Sequence, residues 1–332
     1  MTIKVSQHVD IDELVLLLLG KKTQPGVLPF RSQLRALSQA ITFVENDVYL
    51  SHSFLSHPAL QTSTKNTETR VIGITGLPGS GKSSLTNLIV KELRAQNKSV
   101  AVLAVDPSSS LTGGAILGDR VRMQDHFKDE NVFIRSMGAR GALGGVSKAT
   151  RAAIRLIGLL NFDFILVETV GIGQSESDIV HIADTTMLVL MPNSGDEIQL
   201  MKAGILQLAN IYVVNKCDVA DATRMIQELK ENIPHPLDGA WNAPVLKASA
   251  SQEIGIAEIV EQINAHAIFE STHPVGKQIK IQRAKKEVLQ SILSLKEEQY
   301  LSELEKVSEI EFEKVILGKT TAMFLAKSLI SP

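Results

Sequence analysis

Apolar residues along this chain follow two rhythms. Before about residue 60 the spacing is helical, with Leu34, Leu37, Ile41 and Val44 recurring at steps of three and four. The run "LVLLLLG" at 14–20 is too short for a membrane span and predicts a core helix. From 71 to about 268 the rhythm changes to short runs: VIGITG, VAVLAVD, VFIRS, FDFILVET, TMLVLMP, IYVVNKCD and PVLKASA. They are almost continuously apolar, not alternating, as strands buried on both faces of a mostly parallel sheet are. Helical patterns lie between them, such as "SSLTNLIVKELRAQ", where Leu85, Leu88, Ile89 and Leu93 share one face. Strand, crossover and strand in repetition predict an α/β domain with a mostly parallel, doubly wound sheet flanked by helices.

A polar stretch, "QTSTKNTETR" at 61–70, buries no face and reads as a linker. After "ESTHPVG" at 270–276 the chain turns helical and charged to its end. Leu293, Tyr300, Leu304 and Val307 are spaced to form a seam with another helix, or to pack back on their own domain. The expected organisation is therefore a helical region at 1–62, an α/β domain at 63–270 and a helical arm at 271–332.

Composition narrows the function classes. The 332 residues are 44% hydrophobic with a formal net charge of −2, enough for a large buried core. Near-neutral charge argues against nonspecific nucleic-acid or membrane-surface binding. Cys217 is the single cysteine, so no internal disulfide framework exists, and the start of the chain resembles neither a secretory nor a transit peptide. These features together predict a cytoplasmic protein.

The first chemistry is in "GITGLPGSGKSSL" at 73–85. Gly76, Gly81, Lys82 and Ser83 satisfy G-x-x-x-x-G-K-[ST] between an apolar strand and a helix, the context the motif requires. Gly76, Pro78, Gly79, Ser80 and Gly81 form the loop, whose glycines let backbone N–H groups curl around phosphate oxygens. Ser84 follows in the first helical turn, where the helix dipole adds positive potential. Lys82 should reach the β- and γ-phosphates, and the Ser83 hydroxyl should ligate Mg²⁺. A P-loop nucleoside-triphosphate site is the reading.

The base is read by "VVNKCD" at 213–218. Guanine offers two donors, N1–H and its amine, and the Asp218 carboxylate accepts from both; adenine presents an acceptor at N1 and would leave the carboxylate unpaired. Asn215 would hold the loop and contact the base, and the Lys216 stem would cover one ring face. In "KASA" at 247–250, Ser249 and Ala250 end the next strand, with the Ala250 N–H aimed at the guanine carbonyl. Cys217 reads as a small filler beside the purine. GTP and GDP are the expected ligands.

Two acids lie at strand ends, where α/β sheets bind ligands: Asp106 in "AVLAVDPSSS" and Glu168 in "ILVETVGIGQSE". Either can hold Mg²⁺ directly or through water, though a helix cap or turn is an ordinary use for Asp106. Gly171 follows Glu168 in an E-x-x-G pattern, and its N–H is placed to sense the γ-phosphate. Small GTPases carry a water-orienting glutamine directly after that glycine; here Ile172 stands there and Gln174 lies two further on. Slow intrinsic hydrolysis, accelerated by a partner or by dimerisation, is expected. Arg120, Arg122 and Arg140 lie in Gly-rich segments as possible sources of positive charge for the transition state. No histidine has an aspartate two residues before it, so the D-x-H-x-x-G element of a base-off cobalamin domain is missing.

Taken together, "RALSQAITFVEN", "GLPGSGKSSL", "VDPSSSLTGGAILGDRVRM", "VFIRSMGARGALGG", "VETVGIGQSESDI", "GDEIQLMKAGI" and "NKCD" resemble the methylmalonyl-CoA mutase-associated GTPases. This is the MeaB/ArgK family, also known as LAO/AO transport system ATPases or kinases. The resemblance runs in order from about residue 30 to 260. It implies a G domain of the dimeric SIMIBI class shared with signal-recognition GTPases, and a C-terminal arm used for homodimerisation. It also implies a chaperone that protects an adenosylcobalamin-dependent acyl-CoA mutase and gates cofactor loading, with cobalamin carried by the mutase. By the same resemblance Asp106, Asp119 and Glu168 are the Mg²⁺-linked acids, and Arg122 couples the nucleotide to hydrolysis. The chain departs from the family at Gln207 and Asn210, where Glu and Asp are usual, at Ser136 in place of proline, and at Cys217 in place of alanine. The first pair follows the segment that signals to the mutase. The competing readings are a phosphotransferase of a lysine/arginine/ornithine transport system and a binding scaffold whose hydrolysis is incidental.

Overall fold

The computed structural model describes residues 10–46, 54–61, 69–106, 123, 126, 128–138, 148–169, 179–192, 209–233 and 239–330. The chain forms two compact units, Met1–Gly276 and Lys277–Pro332.

Seven strands make the first unit's sheet: β1 (Arg70–Gly76), β2 (Val100–Asp106), β3 (Val132–Gly138), β4 (Phe164–Thr169), β5 (Thr185–Leu190), β6 (Ile211–Val214) and β7 (Val245–Lys247). Each grew from one of the seven apolar runs. Their order is β3-β2-β4-β1-β5-β6-β7, and every pairing is parallel. Parallel strands need crossovers, and these put helices on both faces. On one face lie α1 (Ile11–Leu18), α2 (Pro29–Asn46) and α5 (Lys148–Gly158); on the other lie α4 (Lys82–Ala95) and α7 (Ile256–Thr272). The short α3 (Pro58–Gln61) adds Leu60 to the first face, and α6 (Thr223–Asn232) covers the β5–β6 end with Met225 and Leu229.

Successive residues of a strand point to opposite faces. Accordingly, Val71, Leu103, Phe133 and Ile165 enter the core beneath α2 and α5, while Ile72, Val102, Val132 and Leu166 enter the core beneath α4 and α7. Leu14, Val15, Leu17 and Leu18 of α1 are buried, as the "LVLLLLG" run predicted. Leu37 and Ile41 of α2 belong to the same core as the strands, so these N-terminal helices complete one face of the sheet.

Most of the predicted linker, 62–68, lies outside the described residues, as do Arg122, Asp119, Gly171, Arg120, Arg140, Ile172 and Gln174, the predicted signalling segment and Gln207 after it. Asn210 is described, its Oδ1 accepting from the Thr186 N–H at 2.8 Å. The helix α8 (Pro274–Glu305) crosses the boundary at Lys277; its part in the second unit, with α9 (Glu309–Ile316) and α10 (Ala322–Ile330), leaves large apolar side chains exposed, Leu289, Leu293, Leu304 and Phe324 among them. Among the described residues no helix is long and apolar enough to cross a membrane.

Candidate functional site: a phosphate loop tied to a base-reading turn

The site lies at the carboxyl ends of β1 and β4, adjacent at the centre of the sheet, and of β6, two strands from β1. β1 ends in Gly76 with φ +139°, and a Cβ there would meet the carbonyl oxygen of Val189 at 2.1 Å. Only glycine lets β1 turn out of the sheet this close to β5. The loop then runs through Leu77, Pro78, Gly79 and Ser80, with Pro78 and Gly79 exposed at its tip and Ser80 buried. Gly81, at φ +91°, begins α4, and among the described residues no side chain caps that helix. Its first-turn N–H groups are thus left for a ligand, and the dipole favours an anion there. Leu85, Ile89 and Leu93 hold the other side of α4 in the core, each fully or almost fully buried. Burial of that kind contributes about 1.5–3 kcal/mol per side chain, which keeps the loop's exit rigid.

Lys82 folds back along the loop. Its Nζ donates to the Gly76 carbonyl at 2.7 Å and the Leu77 carbonyl at 2.9 Å, so the cation is already on the concave side that the phosphates need. Ser83 Oγ donates to Glu168 Oε1 at 2.5 Å. The β1–β4 register sets Ile74 opposite Glu168, which brings the strand-end carboxylate to the start of α4. A buried carboxylate and a serine hydroxyl converging at a strand end make a hard-oxygen pair suited to Mg²⁺. Asp106 ends β2, the strand beside β4, so the topology sets it at the same edge. Ser84, next to Ser83, is exposed on the first turn.

The second half of the site follows β6. Asn215 is fully buried, and both ends of its amide are used by the protein. Nδ2 donates to the Ser80 carbonyl at 2.8 Å, and Oδ1 accepts from the Ala250 N–H at 3.1 Å. One side chain therefore ties the phosphate loop to the turn after β7. In this arrangement the Ala250 N–H faces Asn215. Lys216 takes φ +63°, which turns the chain sharply between the buried Asn215 and the exposed Asp218. Cys217 is half-buried and donates its thiol to the Val214 carbonyl at 3.0 Å.

Asp218 is held by two hydroxyls, Ser249 Oγ on Oδ1 at 2.6 Å and Ser251 Oγ on Oδ2 at 2.7 Å. Those bonds, Ser249 first, keep its carboxyl below the ordinary aspartate range, so it stays a charged acceptor. Ser249 was expected here. Ser251 was missed, although it directly follows Ser249-Ala250 in the chain. The structure thus brings together Lys82, Ser83 and Glu168 at the phosphate end, and Asn215, Asp218, Ser249 and Ala250 at the base end.

A model of the family described as methylmalonyl-CoA mutase-associated GTPase MeaB matches residues 37–306. The chain belongs to the MeaB family of GTPases. This MeaB-family chain is 40% identical over 287 residues to the Pyrococcus horikoshii protein named "Putative GTPase PH0274", covering 84% of this chain and 89% of that one. It is 37% identical over 230 residues to GTPase ArgK of Escherichia coli, covering 67% and 69%. Over 193 residues it is 38% identical to the mouse protein named methylmalonic aciduria type A homolog, mitochondrial, covering 57% and 46%. The fold is that of a crystal structure titled LAO/AO transport system kinase, with a TM-score of 0.63 at 24% identity over 97% of both chains. The protein is a P-loop enzyme that hydrolyses GTP.

Proposed function

We propose that this GTPase is a magnesium-dependent switch that protects an adenosylcobalamin-dependent acyl-CoA mutase and gates the loading of its cofactor. The family match over 37–306 carries this reading, since that family is described by its association with methylmalonyl-CoA mutase. The mouse relative's name, which refers to methylmalonic aciduria, points the same way.

In this reading Lys82 leaves the Gly76 and Leu77 carbonyls for phosphate oxygens, while the uncapped start of α4 adds its N–H groups. Ser83 and Glu168 would hold Mg²⁺, with Asp106 as a further acid at that edge and Asp119 assigned by the family resemblance alone. The ion would screen the charge that builds on the phosphates. Asp218 selects guanine, and the Asn215 amide keeps the base turn at a set distance from the phosphate loop. Gly171 senses the γ-phosphate, and Arg122 couples it to hydrolysis. Exposed apolar residues on the arm, residues 271–332, support a homodimer built through it. The protein acts in the cytoplasm, and cobalamin stays with the mutase.

The test is the mutase itself. Purified chain with GTP should preserve mutase activity during turnover, and Lys82→Ala should abolish that protection; protection by the variant equal to wild type contradicts the switch. The names ArgK and LAO/AO transport system kinase keep a phosphotransferase as the second reading. Incubation with γ-labelled GTP decides between them, because stable label on a protein acceptor contradicts the switch.

A further inference from the structure

An exposed carboxylate turns freely about its Cβ–Cγ bond. One hydroxyl bound to one oxygen leaves a pivot, whereas two hydroxyls on different oxygens set the plane. Asp218 has the second arrangement, with Ser249 on Oδ1 and Ser251 on Oδ2, and the two hydroxyls lie 3.0 Å apart. A carboxylate offers about four lone-pair sites, so each oxygen keeps one for an incoming donor.

The turn that carries Ser251 is itself fixed. Ser249 and Ile254 exchange backbone hydrogen bonds of 3.1 and 3.0 Å across it. Lys91 of α4 reaches both carboxylate oxygens of Glu253, at 2.9 and 2.8 Å, a surface contact between the turn and the helix that starts at the phosphate loop. Gly255 closes the turn at φ +82°, where a Cβ would lie 2.2 Å from the Lys247 carbonyl oxygen. Ser251 is exposed on this frame. Its one hydroxyl proton is spent on Asp218, so the contact with Ser249 is an approach of two oxygens that both donate to the same carboxylate.

We propose that Ser251 is a positioning residue for base selection, setting the plane of the Asp218 carboxylate so that both oxygens are presented to one purine together. This rests on Asp218 being the guanine reader. Guanine needs both oxygens at once, for N1–H and for the amine. Hypoxanthine has only N1–H and needs one. Ser251 therefore matters more for guanosine than for inosine nucleotides.

Calorimetric titration of the full chain with guanosine and inosine diphosphates, repeated down the acid range, tests the proposal. Ser251→Ala should weaken guanosine diphosphate binding about 5- to 10-fold, the scale of one hydrogen bond to a charged group at an exposed position, and inosine diphosphate less than about 2-fold. The pH below which guanosine diphosphate binding fails should move upward, and Ser251→Thr, which keeps the hydroxyl, should restore both properties. Asp218→Asn, titrated with guanosine and xanthosine diphosphates, is the parallel arm. If that variant turns to xanthosine while Ser251→Ala weakens both diphosphates equally or not at all, the positioning role is overturned and the guanine reading stands. If Asp218→Asn keeps guanosine over xanthosine, the guanine reading falls and the inference falls with it.

Discussion

Gly81→Ala separates the account of the site from a generic account of glycine in a loop. The added methyl would lie 2.2 Å from Asn215 Nδ2 and 3.5 Å from its Cγ, on a residue at φ +91°. A left-handed alanine costs about 1–2 kcal/mol by itself. The amide cannot retreat, because it is fully buried and bonded at both ends, to the Ser80 carbonyl and the Ala250 N–H. Displacing it breaks that tie and adds about 1–3 kcal/mol for buried polar groups left unpaired. The sum is about 2–5 kcal/mol, a large part of the roughly 5–15 kcal/mol that holds a domain folded. Gly79→Ala is the control, since Gly79 has φ +79° and nothing within 4 Å of the added Cβ, leaving only the backbone cost. Urea unfolding without nucleotide, followed by the fluorescence of Trp241, the single tryptophan, reports the first unit. Gly81→Ala should cost about 1–3 kcal/mol more than Gly79→Ala. In an Asn215→Ala background, where the clash partner is gone, the excess should disappear. Equal costs for the two glycines, or an excess that survives the background change, would refute the tie.

Leu37 is fully buried in the core shared by α2 and the strands, so Leu37→Ala should lower the unfolding free energy read from the same Trp241 transition by about 2–5 kcal/mol; an unchanged transition would mean the N-terminal helices do not support the sheet. The Arg94 guanidinium beside Asp129, with bonds of 2.7 and 3.3 Å, holds that carboxyl below the ordinary aspartate range. A lowered folded pKa stabilises fully above the unfolded value and is lost as pH falls through the folded one. Asp129→Asn should therefore cost about 1 kcal/mol near neutral pH, the pair being partly exposed, and the gap should close in acid; a gap constant with pH would contradict the assignment. Lys82→Ala should reduce GTP hydrolysis at least about 100-fold, as loss of a positioned cation does, read by phosphate release; retention of near-wild-type turnover would remove Lys82 from the mechanism.

Much of this was legible in the chain because it was written locally. Each strand grew from one short, largely apolar run, and the phosphate loop is a contiguous motif whose glycines answer to a φ of +139° at Gly76 and +91° at Gly81. What contacts decide across distance was not. An apolar stripe such as that of Leu37 and Ile41 does not name the surface it covers, and the insertion of β4 beside β1 follows from packing, not from spacing. Asn215 is expected both to hold the loop and to contact the base; both ends of its amide serve the protein, and which groups they tie could not be read from the chain, since those partners lie 135 and 35 positions away. Ser251 escaped for a related reason. A hydroxyl in a polar turn has no signature until the turn at 249–255 folds it onto Asp218.

The most direct test of the central claim is competitive calorimetry on the purified chain with guanosine and adenosine triphosphates, alongside xanthosine triphosphate and Asp218→Asn. The account predicts a preference for guanosine over adenosine of at least about 100-fold, from an otherwise unpaired carboxylate, and a change to xanthosine in the variant. Equal affinity for guanosine and adenosine triphosphates in the wild-type chain would contradict it.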